Sequence, residues 1–159
     1  MLNLATHYEM VAGLKAYFTT NLASYLAAAV AKIGGGLACP PPAAHVLGYR
    51  DLGNSHVFPI ACYVAAASPP TVTEAMRAVR VTVEVDIGIA IVHAKPDVLE
   101  QQLLAYADAV ENLVGENESL GGLVDFAARG AMDYGHGALG DKSAATLVVT
   151  VILEKQIIT

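Results

Sequence analysis

Residues 80–93 read Arg80-Val81-Thr82-Val83-Glu84-Val85-Asp86-Ile87-Gly88-Ile89-Ala90-Ile91-Val92-His93. Val81, Val83, Val85, Ile87, Ile89 and Ile91 fall on one face, and Arg80, Thr82, Glu84, Asp86, Gly88 and Ala90 on the other. Side chains alternate across a strand, so this stretch predicts one long strand with a core face and a more open face. At about 3.3 Å per residue it runs roughly 46 Å if straight. A compact chain of this size is roughly 40 Å across. The strand therefore bends, with Gly88 the position for it, or projects beyond its own domain. A projecting strand needs a neighbour, which points to assembly ahead of catalysis.

Upstream, the spacing of His7, Val11, Leu14, Phe18, Leu22, Tyr25 and Ala29 predicts a helix over 6–33. Thr6 and Glu9 have capping-box spacing at its start, and Gly34-Gly35-Gly36 ends it. Cys39-Pro40-Pro41-Pro42 opens an irregular connection to about His56, because proline is excluded from helix interiors and central strands. A strand is expected over 57–67, broken by Ser68-Pro69-Pro70, with a long loop leading to the alternating strand.

Downstream, Asp97 and Glu100 form a capping-box pattern after Pro96, and Leu99, Leu103, Tyr106, Val110 and Leu113 mark the buried stripe of a second helix. Gly115 and Asn117 are its expected terminators. Gly121-Gly122 reads as a turn, 123–134 as a strand, 135–140 as a flexible loop and 144–154 as a last strand.

The order α-β-β-α-β-β predicts an α+β, two-layer domain. It has a mainly antiparallel sheet of about four strands with helices packed on one face. The 159 residues are expected to form a single domain, 1–159.

Composition narrows the function classes. Apolar residues make up 55% and charged residues 15%, against about 25% charged in an average soluble domain. This shortage of polar surface favours a chain partly covered by other subunits. A net charge of −6 with nine scattered Lys and Arg argues against gripping nucleic acid. Cys39 and Cys62 form no CxxC pair, and the start of the chain lacks the pattern of a signal peptide, so reduced thiols in a cytoplasmic setting are expected. The longest apolar run, 22–33, falls short of the roughly 20 residues a bilayer span needs, so no membrane partner is expected.

There is no Walker loop, and Gly135, Gly137 and Gly140 match GxGxxG but lead into a strand, so they read as a mobile loop. Of five scattered histidines, His136 with Asp133 is the best metal candidate, yet a solvated pair explains it without a metal. Neither cysteine has a nearby base, and Cys62 reads as a small core residue. Glu84 and Asp86 share a strand face and offer paired carboxylates, with a solvated or interface role the simpler reading. No active site, cofactor or metal is expected.

The order of elements resembles one protein family. A first helix and a proline-rich connector lead to Val57-Phe58-Pro59-Ile60-Ala61-Cys62-Tyr63-Val64, followed by the alternating strand. Then come a helix carrying Leu104-Ala105-Tyr106-Ala107-Asp108-Ala109-Val110-Glu111-Asn112-Leu113, the turn Asn117-Glu118-Ser119-Leu120-Gly121-Gly122-Leu123-Val124, and an amphipathic last strand. From about residue 6 to 155 this resembles the tail-terminator, or tail-completion, proteins of tailed bacteriophages. The resemblance implies a structural virion protein forming a ring, a hexamer, on the head-proximal end of the tail tube. Its partners would be copies of itself, the tail-tube protein and a neck or head-completion protein. DNA would pass through without specific binding, and a negative lumen would ease that passage.

In this reading Arg80, Thr82, Glu84 and Asp86 of the long strand and Thr150 and Glu154 of the last lie at or near subunit contacts. Another neck, head-completion or tail-tube protein, the cap of a bacterial secretion device, and a small ligand-binding α+β module are the alternatives.

Overall fold

The alternation at 80–93 is realised as a strand of sixteen residues, Ala78–His93, at the centre of a six-stranded sheet. The structure is a computed structural model and describes residues 5–48, 57–66, 71–75 and 78–158. In chain order the elements are α1 (Ala5–Ile33), β1 (Ala44–Leu47), β2 (Ile60–Ala65), β3 (Thr71–Ala75), β4 (Ala78–His93), α2 (Pro96–Glu116), β5 (Phe126–Leu139) and β6 (Lys142–Ile158). The α+β class and the mainly antiparallel sheet are as expected. The strands number six rather than four.

The sheet runs β1-β2-β4-β6-β5, with β3 also paired to β4. Only β1 and β2 are parallel. On one side β4 is paired along its whole length by β6, from Ala78 opposite Ile158 to His93 opposite Ser143. On its other side β2 takes residues 85–90 and β3 takes 78–82. The register passes Gly88 unbroken, with Cys62 on one side and Val148 on the other. The expected excess length is used at the other end, where β3, β4 and the end of β6 continue past the start of β5, which begins opposite Glu154.

Three local readings change. The connection after the prolines contains β1, because residues 44–47 carry N–H groups that Pro40, Pro41 and Pro42 lack. The long loop expected over 68–79 contains β3, which forms a hairpin with β4; residues 67–70, 76 and 77 lie outside the described residues. The glycine segment 135–140 is not a loop. It lies in β5, paired to β6 as far as Leu139 opposite Lys142. The turn is only Gly140-Asp141, and Gly140 has φ +64°, the conformation a two-residue hairpin asks of glycine at its first position. A bulge between Arg129 and Met132 breaks the β5–β6 register once.

Both helices lie on one face. Val81, Val83, Val85, Ile87, Ile89 and Ile91 of β4 are buried there with Leu147, Val149, Val151 and Leu153 of β6. The seam of α1 is Met10, Leu14, Phe18, Leu22, Leu26 and Ala29, all buried, while His7, Val11 and Tyr25 are half-buried at its margin. Phe18 meets Tyr63 of β2 edge-on, with ring centroids 6.0 Å apart.

α2 starts one turn position earlier than its acidic pattern indicates. Pro96 occupies the first helical turn and Lys95 is the cap residue, with no side-chain capping bond. Proline's preset φ makes this start favourable without a capping box. Asn117 ends the helix as expected, and its amide donates to the Leu113 carbonyl at 2.8 Å. The Thr6 half of the α1 capping box lies outside the described side chains.

The proline connector is tied to α2 by side chains. Gln102 donates to the Ala38 carbonyl at 2.9 Å and the Tyr106 hydroxyl to the Pro40 carbonyl at 2.6 Å. Prolines offer acceptors but no donors, so donors from the helix complete the match.

Because Phe18 is fully buried between α1 and the sheet, Phe18→Ala is expected to lower stability by about 3–5 kcal/mol. Urea unfolding of the two proteins checks this through the shift in midpoint.

Candidate functional site

The face of the sheet opposite the helices carries every residue singled out for contacts. Arg80, Thr82, Glu84 and Asp86 of β4 alternate with its core residues, and Thr150 and Glu154 of β6 share their face. The register sets Thr82 opposite Glu154, Asp86 opposite Thr150, Glu84 opposite Ile152 and Arg80 opposite Gln156. Arg80 is exposed and the other five are half-buried. The Thr150 hydroxyl donates to Asp86 Oδ1 at 2.7 Å. This is the one side-chain bond among the six described residues' own set.

Glu84 and Asp86 do not form a catalytic dyad. Residues two apart on a strand stand about 7 Å from each other, too far to share a proton, and Asp86 is engaged by Thr150. Apolar side chains are interspersed with these groups: Val64 opposite Asp86, Val148 opposite Gly88, Ile152 and Phe126. Phe126 and Val148 are 42% and 38% exposed. Glu84, Asp86, Glu154 and, from β5, Asp133 give the face an excess of negative charge over Arg80 and Lys142. This arrangement can bind a surface.

The other candidates are not brought together. Asp133 lies opposite Val148 on the open face, whereas His136 lies opposite Ala145 on the helix face and bonds to Glu100. Gly135, Gly137 and Gly140 belong to the β5–β6 hairpin and precede no helix. Among the described residues no three His, Cys, Asp or Glu side chains are grouped to hold a metal ion. Cys62 is not a core residue: it is half-buried on the open face, because it pairs with Gly88 rather than with a residue of the apolar row. Cys39 packs beside the core, where burial pushes its thiol up to about 11, far from a reactive thiolate.

Two arrangements escape sequence reading. At the β5 edge, His136 Nε2 lies 2.8 Å from Glu100 and the Arg129 guanidinium 3.3 Å from Glu111. Glu100 and Glu111 are eleven residues apart, about three helical turns, so both hang over the same strand. Exposed pairs of this kind are worth at most about 1 kcal/mol, so they orient β5 more than they stabilise it. The signal was the spacing of the two acids, but nothing local identified their partners.

At the opposite edge, His45 Nδ1 of β1 lies 2.7 Å from the Tyr63 hydroxyl, with the rings stacked at 5.9 Å. Tyr63 is fully buried and its phenol is held neutral by burial. A neutral phenol either donates to Nδ1 or accepts from it, according to the imidazole tautomer. Burial first, and the charge of Lys15 second, hold His45 below the usual imidazole range.

Two outcomes follow from this geometry. Thr150→Val removes the donor to Asp86 and is expected to cost about 1 kcal/mol in urea unfolding, with the fold kept. His45 binds a proton more readily in the unfolded chain than in the folded one, so it lowers stability as pH falls below about 6.5. Unfolding midpoints at pH 7.5 and 5.5 are expected to differ less in His45→Asn than in the parent. No protein-family model matches the chain, and no curated protein is significantly similar to it.

Proposed function

We propose that this chain is a structural protein of a phage-type tail, a tail terminator. It forms a ring that caps the head-proximal end of the tail tube, stops its growth and joins it to a neck or head-completion protein. The observation that carries this reading is the sheet covered by helices on one face only, with exposed apolar side chains among charged ones on the other. The order of elements, already similar to that of the tail-terminator family, supports it. The mechanism is binding rather than chemistry.

In this reading Arg80, Thr82, Glu84, Asp86, Thr150 and Glu154 lie at or near the contacts of the assembled ring. The acids Glu84, Asp86 and Glu154 suit a particle through which DNA passes without being held, since like charge repels phosphate. No helix among the described residues is long and apolar enough to cross a membrane. The site of action proposed here is the virion, with assembly in the host cytoplasm.

The test is native mass across a concentration series, followed by negative-stain images. Rings are expected, and a combined Arg80→Glu and Glu84→Lys variant is expected to weaken their formation at least tenfold. Rings that form unaltered in that variant remove the open-face contacts. A strict monomer, in solution and on added tail tubes, removes the terminator reading itself.

A further inference from the structure

The sheet has two ends. At one, β1 lies beside α1; at the other, β5 lies beside α2. Among the described residues both strands have an unpaired outer edge. The β5 edge is the longer hazard: Met132–Leu139 is regular strand without proline or lysine, the residues that usually blunt an edge.

The side chains at the two ends are complementary. Beside β1, Lys15 of α1 stands near His45, and no acid of α1 shares its stripe. Tyr8, seven residues before Lys15 and so on that stripe, is 65% exposed, and Leu47 at the end of β1 is 46% exposed. Beside β5, Glu100, Leu104, Asp108 and Glu111 recur at intervals of four, four and three along α2, a helix with no basic residue. Leu104 is 45% exposed there, and Tyr134 of β5 is 48% exposed. Among the described residues, exposed large hydrophobics thus sit at both ends, beside Lys15 at one and beside acids that outnumber Arg129 and His136 at the other.

We propose that copies of this chain join end to end, the β1–α1 end of one docking on the β5–α2 end of the next. This rests on the ring reading above and names the surfaces that close the ring. The outer edge of β1 pairs with part of Met132–Leu139, extending one sheet into the next. Lys15 faces the carboxylate of Asp108 and the Glu100 oxygen not bonded to His136, and Tyr8 and Leu47 meet Leu104 and Tyr134. With four residues in β1 the backbone pairing is short. It sets the register, while the apolar contacts and the charges hold the junction.

A second copy fits better than any symmetric pairing. Two β5 edges face to face would set one acidic α2 stripe against another, and two β1 edges would oppose Lys15 to Lys15. Only unlike ends attract. A contact between unlike surfaces leaves one of each free, so it propagates until a ring closes.

The experiment uses two full-length variants, Lys15→Glu and Glu100→Lys/Asp108→Lys, with circular dichroism to establish folding. The first has two acidic ends and the second two basic ends. Each alone is expected to assemble at least tenfold more weakly than the parent. An equimolar mixture is expected to restore rings in which the two masses alternate, read by native mass spectrometry. Leu104→Ser, which touches no ion pair, is expected to weaken the parent ring by a similar factor and serves if a charge variant fails to fold. Either variant assembling alone like the parent, a mixture of folded variants that stays unassembled, or an unaffected Leu104→Ser ring overturns the junction. A parent chain that forms no ring overturns the ring reading together with it, whereas parent rings insensitive to these variants remove the junction alone.

Discussion

The ladder between β4 and β6 is the constraint on which the rest of the molecule depends. It joins sixteen residue pairs without a shift in register. Because strand side chains alternate, a one-residue slip in this ladder would send Val81, Val83, Val85, Ile87, Ile89 and Ile91 to the wrong face together. The helix layer, the open face and both sheet ends are positioned by reference to it. α2 packs on its β6 half and reaches β5, and α1 packs towards β2 and β1. The ladder therefore decides which acids, bases and apolar groups share a surface.

The two sides of that ladder are built to different standards. On the helix face the apolar row is buried to a few per cent exposure and backed by Phe18, Tyr63 and Tyr106. On the open face Thr, Glu, Asp, Val and Ile are mixed, and their one described mutual bond is Thr150 to Asp86. A face that only had to meet water would gain nothing from Phe126 and Val148. A face that had to be fully buried in its own domain would not carry Glu84, Asp86 and Glu154.

The long strand, both helices and the last strand were legible because their signal is periodic and extends over many residues. Val81 to Ile91 alternate without exception, and Leu99 to Leu113 keep helical spacing throughout. The terminators Gly34 and Asn117 were legible too, the first for its left-handed backbone and the second for an amide that reaches the last carbonyls. β1 and β3 were not, because strands of four or five residues are held by the neighbour they pair with and carry little pattern of their own. Gly135 and Gly137 misled for a related reason. Their flexibility is a local property, while their place in β5 is imposed by β6 across a two-residue turn. The six open-face residues could be assigned to one strand face each from sequence, but that the two faces coincide is a fact of the β4–β6 register. The His136–Glu100, Arg129–Glu111 and His45–Tyr63 pairs bridge 36, 18 and 18 positions of chain in one order or the other, beyond the reach of any spacing rule.

The same ladder governs the order in which the molecule can form. The partners in β4 and β6 are separated in the chain by α2 and β5, so the innermost pairing of the sheet closes a loop of at least fifty residues, His93 to Ser143. Loops of that size make folding slow relative to helix or hairpin formation. α1, α2 and the β5–β6 hairpin have the local contacts to form early, but α2 has no finished surface to pack on until β6 reaches β4. During synthesis β6 emerges after the other elements described above. The apolar row of β4 then waits, half-covered, for the final strand. A nascent chain stopped short of β6 keeps β2 and β3 as partners of β4 but lacks the strand that joins them to β5.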